Sequence, residues 1–557
     1  MLVNANTILN YNRCRRFAAL NDPFTSLYLN QGFDQVDPLF KDIFLSHIYD
    51  KNSEIKKNVN LTYEFEHEIT LSENYDYIVN DKDVYCLMPN TASEFLNLKF
   101  REGTHKYQVF TKNNKGIYTA RLDSKNSKNL DEKLDKLKSS FEDIGKIIFN
   151  YSLKNYILKQ VYPKKSYNLR FVFLNSDYVF DGISYPEKLY HVFNFSNIKD
   201  LDEIVEIALF RMINHIELND FTPCKLVKKA CLKDKPGECK FIDFCYSHLP
   251  KNASILDYFS SHLGFNEVSD HGNTHHDVYD LLNEGLIAMQ DIPISWLEKQ
   301  NHLMQRFCVD NQALYFNRER IEAGLKTLKF PLLYLDFEAF PRAIPRYYGE
   351  KPYTQSVFQF SLHIEKEENS LLAIDSNHHG FIANPNKDDR EVLFKKLISL
   401  LNKYDSSIIV YNKTFEKTRL EEFKMIFPTH AKEIDKIIER LFDLLDVVKM
   451  NKTFYTNLGY KEEELDSYNL YHPDLGGSYS LKKVIKIFAP EAYDNLVIKD
   501  GVKAYKAYMK IPEMSDIEIE ETKKNLFLYC RQDTYSMYQI IKGLKELIGP
   551  DFTINNS

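Results

Sequence analysis

The run Leu332 to Phe340, LLYLDFEAF, is apolar enough to be a buried strand, yet it carries two carboxylates. Residues two apart on a strand project to one face, so Asp336 and Glu338 point the same way. Burying two like charges together is costly unless a cation lies between them, and a divalent metal meets that need. The competing reading is a strand that ends here with both acids in solvent.

Two later strings place acids on different elements. SSIIVYNKTFEKTRLEEF, 406–423, predicts a strand over 408–411, a loop holding Asn412, and a helix opened by Glu416. An acid in a first helical turn is also a routine partner of the helix dipole. In YCRQDTYSM, 529–537, Tyr529 and Asp533 lie four apart on a predicted helix and share one face. In this order and on these elements, the acids read as one metal site assembled from distant sequence. Asp443 and Asp446 in LFDLLDVVK are nearby candidates, which a solvent-facing helix explains about as well. In GGSYSLKKV, 476–484, Gly476 and Gly477 permit close backbone approach, and Ser478 or Ser480 caps a helix bearing Lys482 and Lys483. A helix end with lysines suits a phosphate; an ordinary capped helix is the alternative. His363 and the pair His378-His379 have no partner at ligand spacing and read as structural or solvated.

The three acidic strings resemble motifs I, II and III of the DEDD exonucleases, whose fold is ribonuclease-H-like. The Tyr-x-x-x-Asp form of the third is similar to the DEDDy branch. The segment PRAIPRYYGEKPYTQSVFQFSLHI, Pro341 to Ile364, together with GGSYSLKKV and YCRQDT, also resembles an uncharacterised bacterial family, a domain of unknown function. This likeness covers roughly 330–545. It implies that Asp336, Glu338, Glu416 and Asp533 hold two Mg²⁺ or Mn²⁺ ions, hard cations that favour oxygen ligands. It also implies that Tyr529 orients the attacking water. Asn412, Ser480 and Lys482 are the candidate substrate contacts. One departure stands out: those exonucleases have Asp in motif II, where this chain has Glu416.

Four cysteines crowd one stretch, Cys224, Cys231, Cys239 and Cys245, around the turn Pro236-Gly237. Their spacing is not that of a zinc ribbon with two short knuckles. It resembles the iron–sulfur nucleases of the RecB-like PD-(D/E)XK superfamily, which take one ligand from an N-terminal helix and three from a later cluster. That resemblance assigns Cys14, Cys231, Cys239 and Cys245 to a 4Fe–4S cluster and leaves Cys224 spare; zinc on the same thiolates, or no metal, are the alternatives. The same superfamily needs an Asp, then Glu-x-Lys on the next strand and often a helical Gln. The hairpin expected over 106–124, turning at Asn113 to Gly116, offers neither acidic motif, and Asn150 stands roughly where the Gln belongs. The first half is therefore expected to keep a nuclease scaffold without its catalytic set and to serve as a DNA- or RNA-binding platform.

With 557 residues the chain should form two or three domains. The expected division is an α/β restriction-endonuclease-like domain over 1–255, a helical connector over 256–328, and a ribonuclease-H-like exonuclease domain over 329–557. A net charge of −7 means that any nucleic-acid contact must come from local basic patches. The N-terminus shows no secretory pattern, and no stretch approaches the ~18 uninterrupted apolar residues of a membrane span, so a cytoplasmic protein with mostly reduced or metal-bound cysteines is expected. The expected activity is metal-dependent 3′–5′ exonuclease action on DNA or RNA, single-stranded or with a free 3′ end. The alternatives are a catalytically impaired nucleic-acid-binding protein and a pure interaction scaffold.

Overall fold

Two mixed α/β sheets carry the chain. The computed structural model describes residues 1–20, 36–121, 128–139, 143–222, 241–269 and 272–554. These divide into one unit of Met1–Ser247 with Arg342–Thr354 and a second of His248–Pro341 with Gln355–Ser557. No helix among the described residues is long and apolar enough to cross a membrane.

The first unit contains β1 (Leu2–Val3), β2 (Ile55–Glu64), β3 (Thr70–Val79), β4 (Asp83–Thr91), β5 (Lys99–Glu102), β6 (His105–Gln108), β7 (Phe110–Lys112), β8 (Tyr118–Ala120), β9 (Asn168–Leu174) and β10 (Tyr190–Phe193). Its main sheet runs β1-β3-β4-β9-β10-β8-β7, with β2 also paired to β3, while β5 and β6 form a separate ribbon. β4 and β9 are parallel, so the chain must cross over between them; the crossover includes the helix Asp143–Val161. Leu71, Glu73 and Tyr75 alternate along β3 and are buried, as a strand with one covered face requires. Leu71 and Tyr75 share a core with Tyr151, Leu153 and Ile157 of the crossover helix.

Glu73 is the exception in that apolar row. Its Oε2 lies 2.7 Å from Lys154 Nζ, and its Oε1 accepts the Ala5 backbone N–H at 2.8 Å. Lys154 is equally buried. Burial alone would pull its ammonium down, but the charge of Glu73 and its neighbours holds it above the ordinary lysine value. The pair thus joins the sheet, the crossover helix and the start of the first helix, Ala5–Arg13.

The hairpin read from the sequence forms as β7–β8, pairing Phe110 with Ala120 and Lys112 with Tyr118. Asn113 Oδ1 shapes its turn by accepting the Lys115 and Ile117 backbone N–H groups at 2.9 and 3.1 Å. It lies at the sheet edge, whereas β3, β4 and β9 are interior. The strand comparison drawn from 106–124 therefore used the hairpin at one end of the sheet; the carboxylates of the interior strands include Glu73 and Asp76 on β3 and Asp83 on β4. Asp123 lies outside the described residues.

Arg342–Thr354 leaves the second unit's sheet and belongs to the first unit. Ile344 is buried there with Tyr178, Phe180 and Leu189, and Phe180 exchanges backbone hydrogen bonds with Gly349 and Glu350, both at 2.9 Å.

The second unit contains β11 (Phe265–Ser269), β12 (Gly272–His276), β13 (Tyr315–Phe316), β14 (Leu332–Pro341), β15 (Gln355–Glu365), β16 (His378–Ile382), β17 (Ile408–Val410), β18 (Leu441–Asp443) and β19 (Leu470–Tyr471). The stretch expected as a helical connector thus holds the hairpin β11–β12, where His276 stacks on Trp296 with ring centroids 4.2 Å apart. The main sheet runs β16-β15-β14-β17-β18. β15 is antiparallel to β14 and β16, whereas β14, β17 and β18 are parallel. Leu333, Leu335 and Phe337 face a core containing Leu393 and Phe394 of the helix Arg390–Leu401 and Leu420 of the helix Thr414–Ile426. Leu332 and Tyr334 face a second core with Met537, Ile541 and Leu544 of the helix Asp516–Ile548.

Removing one partner of a buried ion pair strands the other charge at a cost of about 3–5 kcal/mol. Lys154→Met should therefore destabilise the first unit by that order, while Glu73→Gln/Lys154→Met should recover most of the loss. Urea unfolding of the three proteins checks this; equal loss in single and double variants would show that packing, not the stranded charge, sets the cost.

Candidate metal centre

Strand parity places Asp336 and Glu338 on the β14 face that the helix Asp516–Ile548 covers. The β14–β15 register shifts directly after Glu338, and a bulge there redirects the following side chain. On the covering helix, Leu526, Tyr529, Cys530, Asp533, Met537, Ile540, Ile541 and Leu544 are buried. The spacing of three and four is that of an amphipathic stripe, and Asp533 interrupts it. The ligating atoms of Asp336, Glu338 and Cys530 lie within 4.8 Å of one another, with Cys530 Sγ 3.4 Å from Asp336 Oδ2.

The electrostatics of this cluster are unbalanced. Burial, then the charge of Asp533, pushes Asp336 well above the usual carboxylate range. Burial, then Asp336 and Asp533, does the same to Glu338. Burial raises Asp533 to about 6 against the opposing pull of Lys482, Tyr493 and Tyr529. One ammonium, Lys482, offsets all three carboxylates. Glu338 is 7% exposed and accepts no hydrogen bond from the described residues. Glu416 is 2% exposed, and its Oε2 is buried without a hydrogen-bond partner. Burial, followed by the charge of Asp336, raises Glu416 as well. Carboxylates on three elements, one of them with a buried unpartnered oxygen, are a donor set that fits hard divalent cations. Glu416 and Asp533 stand outside the tight three-residue cluster.

Two residues complete the site's wiring. Lys482 Nζ donates to the Tyr529 hydroxyl at 2.8 Å and lies 4.6 Å from the centre of the Tyr529 ring. Lys482 therefore turns into the carboxylate site, where the sequence suggested a phosphate contact at a helix end. Tyr493, which no motif marked, donates its hydroxyl proton to Asp533 Oδ1. Ser480 occupies the N-cap position of the helix Leu481–Phe488, makes no side-chain capping bond and is exposed. Gly477, at φ +72°, fits against the Asp257 backbone, where a Cβ would meet the carbonyl oxygen at 3.1 Å. This is the close approach expected of the glycine pair.

Asp443 ends β18 and is not on a solvent-facing helix. Its carboxylate accepts the backbone N–H groups of Asn412, Lys413 and Leu445 at 2.9, 2.8 and 3.0 Å. It thereby fixes the loop that launches the Glu416 helix, with Asn412 in the left-handed region at φ +68°. Asp446 accepts from Asn451 Nδ2 at 2.8 Å. His363 is buried between Thr534 Oγ1, 2.8 Å away, and the Ile374 carbonyl, 2.9 Å away. His378 meets Ser361 Oγ at 2.8 Å. Both histidines are structural, anchoring the helix segment beside Asp533 to β15 and β16.

Of the cysteine set, Cys231 and Cys239 lie outside the described residues. Cys14 follows the first helix and Cys245 is buried at the end of a short helix. The segments carrying them meet at an edge-on contact of Phe17 and Phe241, with centroids 5.3 Å apart.

The first unit also holds a cavity of about 630 Å³ lined by Lys112, Lys115, Arg170, Lys188, Tyr85 and Tyr190, among others. Arg170 is bound to Asp83 at 2.9 Å, whereas Lys112, Lys115 and Lys188 have no ion-pair partner among the described residues. Two of these lysines come from the β7–β8 hairpin and its turn.

Residues 333–480 match the family described as Domain of unknown function (DUF2779). The match includes Asp336, Glu338 and Glu416 and stops before Lys482, Tyr529 and Asp533. The uncharacterized protein UU173 of Ureaplasma parvum serovar 3 is 27% identical over 241 residues, 40% of this chain and 32% of its own length. The uncharacterized protein MG366 of Mycoplasma genitalium is 28% identical over 243 residues, 40% of this chain and 33% of its own. Its Mycoplasma pneumoniae homolog is 23% identical over 282 residues, 48% and 40% of the two chains. The match thus spans about a third of the first two relatives' length. No solved structure gives a significant match.

Burial holds His363 down at about 4 and His378 at about 3. Both are neutral in the fold, while the unfolded chain takes up their protons near pH ~6.5. Their contribution to stability is therefore complete above that pH and is lost as pH falls through about 4 to 3. His363→Gln should flatten this acid limb relative to the parent in thermal melts; unchanged limbs would refute the assignment.

Proposed function

We propose that the chain is a metal-dependent 3′–5′ exonuclease on DNA or RNA, its site built by Asp336, Glu338, Glu416, Tyr529 and Asp533. One observation carries the reading: the partly buried Asp336 and buried Glu338 of β14 converge with the buried Asp533 of the long helix where, among the described residues, one ammonium offsets them. A protein retains such an imbalance at a cost in stability unless a cation completes the site. The sheet supports a ribonuclease-H-like fold, with antiparallel β14, β15 and β16 followed by parallel β17 and β18 and a long helix across one face.

Asp336, Glu338, Glu416 and Asp533 would hold two Mg²⁺ or Mn²⁺ ions, which when bound supply Lewis acidity for attack of water on the phosphodiester. Tyr529 acts through its hydroxyl. With Lys482 donating to its oxygen, the phenol directs its own proton toward an acceptor in the site and positions a water there. Tyr493 and Lys482 keep Asp533 and Tyr529 in register, and Asn412 and Ser480 would serve as substrate contacts. The absence of Glu416 from the tightest cluster favours one second reading, a catalytically impaired protein that still binds nucleic acid.

The first unit, in this proposal, is a PD-(D/E)XK-like platform that has lost its catalytic set. The lysines without an ion-pair partner among the described residues, beside Tyr85 and Tyr190, support nucleic-acid binding there, because cations track phosphates and aromatic rings stack on bases. The Phe17–Phe241 contact supports a four-thiolate site drawn from both ends of this unit, holding a 4Fe–4S cluster or zinc; iron and zinc analysis with visible absorbance distinguishes them.

Labelled single-stranded DNA and RNA incubated with Mn²⁺ should shorten stepwise from the 3′ end. Asp336→Asn/Asp533→Asn should abolish this, and Tyr529→Phe should slow it by about 10²-fold or more. If neither parent nor Glu416→Asp cleaves while binding persists, the impaired reading replaces the enzyme. Lys112→Glu/Lys115→Glu should weaken single-strand binding and lower its salt dependence by about one to two phosphate contacts; unchanged affinity would remove the cavity from the substrate path.

A further inference from the structure

Cys530 sits between Tyr529 and Asp533 in sequence and is fully buried. A buried cysteine often serves as a small apolar filler. Here the thiol meets a carboxylate: Sγ lies 3.4 Å from Asp336 Oδ2 and 3.9 Å from the Asp336 carbonyl oxygen. Glu338, the third member of the cluster, accepts no hydrogen bond from the described residues although it is 7% exposed. Two carboxylates and one sulfur therefore converge on one small volume, and one of the carboxylates, though more than nine-tenths buried, has no donor among the described residues.

Such a donor set distinguishes between cations. Hard ions such as Mg²⁺ take carboxylate oxygens and leave the thiol protonated, still donating to Asp336. A borderline or soft ion gains from the sulfur, and Zn²⁺ with three protein donors and one open position is a well-populated geometry. We propose that Asp336, Glu338 and Cys530 form a Zn²⁺-selective inhibitory site within the candidate metal centre. Binding releases the thiol proton to solvent and forms the Zn–S bond. It ties Asp336 to the Cys530 side of the site, away from an arrangement shared with Glu416 and Asp533. The inhibitory consequence rests on the exonuclease reading; the binding site itself does not.

Cd²⁺ is the probe, because its bond to sulfur gives a charge-transfer band in the near ultraviolet. Titration of the full chain should show one more thiolate-bound equivalent than Cys530→Ser, which leaves the other cysteines untouched. Asp336→Asn, which keeps the thiol, should weaken that equivalent by at least about tenfold, as expected when one of three donors is lost. Cys530→Ala serves if the serine variant misfolds. Zn²⁺ should inhibit Mn²⁺-supported cleavage in the parent at about tenfold lower concentration than in Cys530→Ser. Equal Cd²⁺ stoichiometry in parent and variants would overturn the site, and equal Zn²⁺ inhibition would overturn the regulation. Loss of the Cd²⁺ equivalent in a protein that never cleaves would uphold the site and refute the exonuclease reading instead.

Discussion

Asp336, Glu338 and Asp533 cannot all stay ionised in a buried site that sets one Lys482 ammonium against them, and much of the second unit's design follows from that conflict. Each carboxylate is pushed upward because burial disfavours its charge, and acidic neighbours add to this for Asp336 and Glu338. The fold nevertheless places them with care. β14 supplies two by parity, the stripe of the long helix supplies the third, and Asp443 spends both carboxylate oxygens fixing the loop that launches the Glu416 helix. His363 and Thr534 then pin the long helix to β15 one residue from Asp533. So much scaffolding around an unsatisfied charge is hard to explain by packing, because apolar residues would fill the same space more stably.

What the sequence revealed about this site is what local periodicity can report. The i, i+2 carboxylates of β14, the early-helix Glu416 and the i, i+4 pair Tyr529 and Asp533 each show in a window of a few residues. Lys482 and Tyr493 do not. Lys482 looked like a helix-end phosphate ligand because its neighbours spell a cap, and only the packing of that helix against the long one turns it toward Tyr529. Tyr493 lies in a stretch without periodicity, so nothing local announces its bond to Asp533. Asp443 was legible as an acid but not as a loop anchor, because its three backbone partners depend on β17 and β18 standing side by side.

The first unit was harder to read for a related reason. Strands β7 and β8 are short and joined by the turn Asn113-Asn114-Lys115-Gly116, so they stand out in sequence. The central β3 looks less distinctive, because Glu73 breaks its apolar alternation and the compensating Lys154 lies on a distant helix. The segment Arg342–Thr354, which reads as part of the second unit's motif, is held by the first unit's own aromatic cluster around Ile344. Chain continuity and spatial membership diverge there, and periodicity cannot detect the divergence.

Glu73 also shows what a structural buried carboxylate looks like in this same chain, and the contrast sharpens the reading of the acidic cluster. Glu73 faces one lysine, and each of its oxygens has a partner, Lys154 Nζ on one side and the Ala5 N–H on the other. Charge and hydrogen bonding close together, as they must where an acid serves only to join elements. At the β14 site neither closes. Among the described residues Glu338 accepts no hydrogen bond, Glu416 Oε2 is buried without a partner, and one ammonium is shared among three acids. The second pattern leaves charge and hydrogen bonding open, and its oxygen-rich donor set is what the proposed cation site rests on.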